Sequence, residues 1–197
     1  MDNLKQEYLQ ILEKMKKFEK EYKKKLLFLG LINKYLKKKD SNIIILGGFA
    51  VQFYTAGEYL TIDADLACDN RDALNDLLIT LNFEKIGRHY FSEDLNLAIE
   101  IPTSSISKNQ EERLYLIEIE GYEIPILSIE DVIIDRLNAF THWQSLEDGR
   151  LAKELLLIHF NRVDWSYLET QAKEEKVISE LLDLKKEIET TREKYEN

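Results

Sequence analysis

The sequence predicts an α+β fold: a small mixed β-sheet flanked by helices, with long helices at the N- and C-terminal ends. Three observations carry this. An apolar β-branched run, Ile43 to Leu46, ends in Gly47-Gly48 and leads into a short amphipathic segment, as where a strand turns into a helix. Residues 60–67 alternate, with Thr61, Asp63 and Asp65 on one face and Leu60, Ile62, Ala64 and Leu66 on the other, the period of a strand. Both ends of the chain instead repeat apolar residues every three or four positions, the period of a helix.

Taken in order, the elements fall into three segments: a helical one at 1–41, a sheet domain at 42–127 and a second helical one at 128–197. In the first, Leu4, Tyr8, Ile11, Met15, Phe18 and Tyr22, then Leu29, Ile32 and Leu36, form a heptad seam with Lys25 as its one polar break. This predicts one long helix, or two broken near Gly30. Strands are expected at 43–46 and 60–67, with a helix from Gly48 to Thr55 between them. Asn70-Arg71-Asp72 offers capping chemistry for a helix over 71–82. Residues 83–102 read as strand with a turn at Ser92-Glu93-Asp94, and 96–101 is the best strand there. Residues 103–111 read as a polar loop. Leu114 to Ile119 and Tyr122 to Leu127 form a hairpin across Glu120-Gly121. Ser128, with Asp131 three residues on, starts a helix over 129–143. Helix resumes over 146–160 and, after a break at 161–164, to the end. There Val177, Ile178, Leu181, Leu184, Ile188 and Tyr195 make a second apolar stripe. The two terminal stripes are expected to bury each other, within one chain or across a homodimer.

The composition narrows the function. No apolar run approaches a membrane span and no signal-peptide core opens the chain, which predicts a cytoplasmic protein with no membrane partner. The single Cys68 excludes an intramolecular disulfide and reads as a packed thiol. A net charge of −10 over 197 residues argues against nucleic-acid binding over the whole surface. The charge is uneven, however. Residues 1–40 hold 12 Lys against 6 acids, whereas the rest holds 15 basic and 31 acidic residues. The basic end reads as a solvated helix face or as an arm for RNA or an acidic partner.

The chemistry concentrates between Gly47 and Leu66. Asp63 and Asp65, two apart on a strand, point the same way and repel unless a cation lies between them. Hard carboxylate oxygens suit Mg²⁺ or Mn²⁺, which keeps open positions for phosphate oxygens. Paired glycines at a strand-to-helix turn offer backbone N–H groups and a helix N-terminus to an anion. A phosphate cradle with metal-binding carboxylates is the equipment of phosphoryl or nucleotidyl transfer from a nucleoside triphosphate.

The order strand, Gly47-Gly48, helix, then Thr61-x-Asp63-x-Asp65-Leu66 resembles the nucleotidyltransferase superfamily, which shares the sheet of the DNA polymerase β catalytic domain. Gly47-Gly48-Phe49-Ala50 and Tyr54, with the segment Ile126 to Leu156, resemble a bacterial and archaeal branch close to the abortive-infection toxins. The resemblance covers roughly residues 42–170. It implies a mixed sheet of nucleotidyltransferase type and a third carboxylate on an adjacent strand. Glu100, an acid inside the apolar strand 97–101, is the candidate, to complete the metal site or take a proton from the acceptor hydroxyl. The alternative for Glu100 is an edge-strand acid facing water. It further implies Arg136 as the cation for the triphosphate, with Arg150 and Lys153 weaker. For Arg136 the alternative is an ion pair with an acid such as Glu130. Three departures stand out: Gly48 where many relatives have Ser, Tyr59 where the branch has Arg, and Glu for Asp at 100. The expected function is Mg²⁺-dependent transfer of a nucleoside monophosphate to RNA, tRNA or a protein hydroxyl, in a toxin–antitoxin setting. The competing reading is a nucleotidyltransferase fold that has lost catalysis and serves binding or regulation. Trp143, beside His142, reads as core or nucleobase-facing.

Overall fold

The computed structural model describes residues 2–196 and the side chains of residues 3–194. The chain divides into two compact units that meet at the Leu127–Ser128 peptide. The first opens with α1 (Asp2–Met15) and α2 (Glu21–Lys37). It continues with β1 (Ile43–Leu46), α3 (Gly47–Tyr54), β2 (Asp63–Cys68) and α4 (Arg71–Thr80). Then come β3 (Glu84–Ile86), β4 (His89–Ser92), β5 (Leu97–Thr103), α5 (Lys108–Glu111), β6 (Tyr115–Ile119) and β7 (Tyr122–Ile126). The second unit holds α6 (Ile129–Trp143), α7 (Leu146–His159), α8 (Trp165–Glu174) and α9 (Ile178–Glu196). No helix among the described residues is long and apolar enough to cross a membrane.

Among the described residues one seven-stranded sheet forms, in the order β3-β4-β5-β2-β1-β7-β6. It is mixed: β2 is antiparallel to β1 and parallel to β5, and β1 is parallel to β7. The α+β class expected from the sequence is the class the chain adopts. The second strand is shorter than predicted, because Leu60 and Ile62 lie in the preceding loop, 78% and 48% exposed. Two elements were missed. Ser107 caps the short α5 through a reciprocal capping box with Gln110. The stretch 84–92 is a hairpin, turned at Gly87-Arg88 with Gly87 at φ +62, the first central position of a two-residue turn.

The N-terminal segment departs from its seam. It breaks at residues 16–20, and α2 runs straight through Gly30. A Cβ at Gly30 would stand 2.6 Å from Cβ of Tyr122, so this glycine permits close approach of β7 and does not break the helix. Residues Lys25 to Asn33 are all buried, because α2 packs on β7, β1 and β6 while α1 and α4 cover it elsewhere. Buried Asn33 ties the sheet together: its Nδ2 donates to the Glu123 carbonyl at 2.7 Å and its Oδ1 accepts from Ile43 N–H at 3.0 Å.

The expected mutual burial of the terminal stripes is not how they are covered. Leu4, Ile11 and Met15 are buried in the first unit, where α1 packs on α2. Val177, Leu181 and Ile188 are buried in the second, where α9 packs on α6, α7 and α8. The Tyr195 side chain lies outside the described residues. Each stripe has cover within its own unit.

Glu7 pins α1 in place. It accepts from Lys34, from Tyr122 Oη at 2.7 Å and from Tyr35 Oη at 3.2 Å. Burial opposes its ionisation, but these donors outweigh burial and hold the carboxyl below its usual range. A carboxyl lowered in the folded state contributes stability above its unfolded pKa and loses it as pH falls through the folded value. Glu7→Gln should therefore lower unfolding stability by about 1–2 kcal/mol at neutral pH. In urea titrations the gap to the wild type should close in acid; a gap independent of pH would show that the charge is not what matters.

Candidate functional site

Strand β2 alternates as its sequence dictates. Ala64 and Leu66 are fully buried, Asp63 is exposed and Asp65 is half-buried. In the parallel pairing of β2 with β5, Asp63 stands opposite Ala98 and Asp65 opposite Glu100. Residues in register on neighbouring strands share a sheet face, so Asp63, Asp65 and Glu100 lie on one face. His89 joins them, because β4 places it opposite Glu100.

Beside this face lies the glycine turn. Gly47 adopts φ +55, and a Cβ there would stand 2.1 Å from Oδ2 of Asp65 and 2.9 Å from its Cγ. Gly48 N–H donates to the same Oδ2 at 3.4 Å. The first turn of α3, expected to receive a phosphate, thus seats the Asp65 carboxylate, a charge that suits a helix N-terminus. Gly48 has room: a Cβ would meet Tyr59 at 3.7 Å and the Thr61 methyl at 3.9 Å. Tyr59, at the position where the resemblance implies Arg, therefore stands next to this turn. Gly47→Ala should cost about 1–3 kcal/mol through its positive φ and its collision with Asp65. Gly48→Ala should stay within about 1 kcal/mol of wild type. Thermal unfolding of the two variants checks this, and equal losses would refute it.

The loop between α3 and β2 is strapped from α2. Lys25, 6% exposed, donates through Nζ to the Thr61 carbonyl at 2.9 Å. Lys20 Nζ donates to the Ala56 carbonyl at 2.7 Å. Tyr22 packs where a Cβ on Gly57 (φ +90) would be, 2.8 Å from its ring. Burial pushes the Lys25 ammonium down, against the pull of Glu21 and Asp63. Sequence reasoning took Lys25 for a break in an apolar seam; as the last of Lys23-Lys24-Lys25 it carries no signal that sets it apart in the sequence. Lys25→Met, similar in volume, should speed hydrogen exchange in peptides spanning 55–63 and leave the β6–β7 hairpin unchanged. Unaltered exchange over 55–63 would show that the strap is dispensable.

Glu100 has neighbours of its own. Arg88 Nε lies 2.8 Å from Oε1 and His89 Nδ1 lies 3.5 Å from Oε2. Glu100 is 18% exposed at its side chain and Arg88 78%. Arg88 arrives on the unpredicted Gly87-Arg88 turn, whose one signal was the lone Gly87 within the stretch 83–92. Among the described residues no group of three or more His, Cys, Asp or Glu side chains is arranged to hold a metal ion. The register brings the three acids to one face without gathering them around one point.

The remaining candidates lie in the second unit. Arg136 is paired with Asp135 and Asp148, each at 2.5 Å. Burial opposes its charge, but the two carboxylates outweigh burial and hold the guanidinium more firmly protonated. The Glu130 considered as its partner instead accepts from Asp164 N–H at 2.7 Å. Arg150 pairs with Glu154 and Glu147, and Lys153 with Glu187. Trp143 is 81% exposed, so the core reading of that residue does not hold. Cys68 is buried, with its thiol pushed up by burial, as a packed thiol should be.

Residues 24–197 match the family described as nucleotidyltransferase of unknown function (DUF6036), and the chain belongs to that family. It is thereby a nucleotidyltransferase by class. Its fold is similar to that of an antigenic nucleotidyltransferase-like protein from Paracoccidioides brasiliensis, at TM-score 0.52 and 16% identity, over 83% of this chain and 93% of that one. Weaker likenesses are to the antibiotic-resistance factor ANT(2'')-Ia in solution, at TM-score 0.46 and 15% identity over 82% and 93% of the two chains. The crystal structure of ANT(2'')-Ia with adenylyl-2''-tobramycin gives TM-score 0.44 and 15% identity over 79% and 94%. At these identities the likeness is one of fold. No curated protein sequence matches the chain.

Proposed function

We propose that the chain transfers a nucleoside monophosphate from a nucleoside triphosphate to an acceptor hydroxyl, with the face of Asp63, Asp65 and Glu100 as its active site. The observation that supports this is the β2–β5 register, which places Glu100 opposite Asp65 beside the Gly47-Gly48 turn. The donor chemistry of Asp63 and Asp65, hard oxygens two residues apart on one face, fits Mg²⁺ or Mn²⁺. Such an ion, when bound, draws negative charge from triphosphate oxygens.

The chain's own residues do the rest. Gly48 N–H and the first turn of α3 are donors for an anion, on the condition that Asp65 yields that position. Glu100 takes the proton from the acceptor hydroxyl. The hydroxyl oxygen then forms a bond to the α-phosphorus. The bond from that phosphorus to the bridging oxygen breaks, and pyrophosphate leaves with the electron pair. A role for Arg136 toward pyrophosphate requires it to exchange a carboxylate partner for a phosphate oxygen. The resemblance to abortive-infection toxins supports RNA, tRNA or a protein hydroxyl as acceptor, a toxin–antitoxin setting and a cytoplasmic location.

A second reading, a fold that binds without turnover, is favoured by one observation: Tyr59, not a cation, stands beside the glycine turn. Incubation with labelled nucleoside triphosphates, Mg²⁺ and total RNA or cell extract separates the two. Wild type should label an acceptor. Glu100→Gln should lower labelling by about 10²–10⁴-fold, and Asp63→Asn with Asp65→Asn should remove calorimetric metal binding. Metal and nucleotide binding without labelling would establish the second reading; metal binding unchanged in the double variant would overturn the site.

A further inference from the structure

A cavity of about 600 Å³ lies in the first unit where β4 and β5 meet the start of α4. Its lining includes three cations, Arg71, Lys85 and Arg88, two acids, Asp72 and Glu100, and the polar Asn75 and Tyr90. Cations outnumber acids in this lining, the reverse of the chain as a whole. The protein carries −10 overall, and many of its cations have a carboxylate within reach. Lys34 has Glu7, Lys37 has Glu123, Lys153 has Glu187 and Lys185 has Glu169. Among the described residues, Arg71 and Lys85 have no carboxylate within ion-pairing distance. Lys85 leans on neutral groups instead, 3.4 Å from Asn75 Oδ1 and 5.1 Å from the Tyr90 ring centre. Tyr90 Oη donates to the same Asn75 oxygen at 2.9 Å, which holds that amide in place. Arg71 opens α4, where the helix dipole disfavours a cation and favours an anion close by. The third cation, Arg88, has Glu100 as its partner.

We infer that this cavity is the acceptor subsite, and that it takes an anionic group of the acceptor, a phosphate held by Arg71, Lys85 and Arg88. The inference rests on the proposed transfer reaction and deepens it, because Glu100 belongs to both the carboxylate face and this cavity. Three cations against Asp72 and Glu100, one of the three on an exchangeable ion pair, and a helix start together form a site for an anionic group. Phosphate entering the cavity competes with Glu100 for Arg88. It thereby brings the acceptor's hydroxyl to Glu100 as that carboxylate is released. A polycationic acceptor meets repulsion here.

The test uses the full chain without nucleotide or divalent ion, so that it reads the cavity and not the transfer. The probes are inorganic phosphate, a short 5′-phosphorylated RNA, the same RNA without its 5′-phosphate, and tobramycin as a polycation. Wild type should bind phosphate or the phosphorylated RNA, and Arg71→Gln with Lys85→Gln should weaken that binding at least tenfold. Both side chains are exposed, so the melting temperature should hold. Lys34→Gln with Lys37→Gln, a paired patch elsewhere in the unit, should change nothing. Phosphorylated RNA binding at least tenfold tighter than phosphate would assign a polynucleotide; equal affinities would assign a small phosphorylated acceptor. Undiminished binding by the Arg71, Lys85 variant overturns the inference, as does preference for tobramycin. Asp63→Asn with Asp65→Asn should bind the probes as wild type does, so that a failed transfer reaction and a failed subsite give different results.

Discussion

The candidate site depends on the absence of a side chain at position 47. The antiparallel pairing of β1 and β2 sets Leu46 opposite Asp65, so the Asp65 carboxylate falls on the residue that follows β1. Only glycine leaves room for it, and only glycine adopts φ +55 there without strain. The consequence spreads through the sheet. Asp65 fixes where β2 stands against the start of α3, and the parallel register with β5 then fixes Glu100. Two elements far apart in sequence are set to one face by a contact that a single methyl group would abolish.

The lysines of the N-terminal segment find their explanation in the same frame. Several of them hold the chain to itself: Lys34 on Glu7, Lys37 on Glu123, Lys20 on the Ala56 carbonyl and Lys25 on the Thr61 carbonyl. The exposed Lys37–Glu123 pair contributes at most about 1 kcal/mol, so its role is placement more than stability. The buried Lys25 differs. A cation taken out of water is costly unless it is satisfied, and its contact with Thr61 O lies two residues before Asp63. The basic end of the chain is thus partly a set of straps on the loop that delivers the carboxylates, and it need not be an arm for RNA.

Much of the fold was legible because it rests on local chemistry. The run Ile43 to Leu46, the caps at Asn70 and Ser128 and the Glu120-Gly121 turn mark their elements through residues within four positions of one another. What was misjudged depends on distant partners. Gly30 looks like a helix break until Tyr122 is brought against it. Leu60 and Ile62 continue the alternation of β2 on paper, yet the sheet offers them no cover. The Gly87-Arg88 turn is two residues long, and each flanking strand is too short to show a period. In the site, the carboxylate pair was visible from its spacing. The seating of Asp65 on Gly47, and the Arg88 beside Glu100, arise only from register.

The arrangement also decides which question comes first in assigning the chemistry. Asp63, Asp65 and Glu100 are acids on one face, and a triphosphate brought to them without a counter-charge meets repulsion from each. Gly48 N–H and one helix turn cannot offset this, because Asp65 already occupies them. Tyr59, which stands beside the turn, adds no charge. A divalent cation would turn the same acids from a barrier into an anchor, since a phosphate oxygen and a carboxylate oxygen then share one positive centre. On the proposed reading, a cation at Asp63 and Asp65 therefore has to precede the nucleotide.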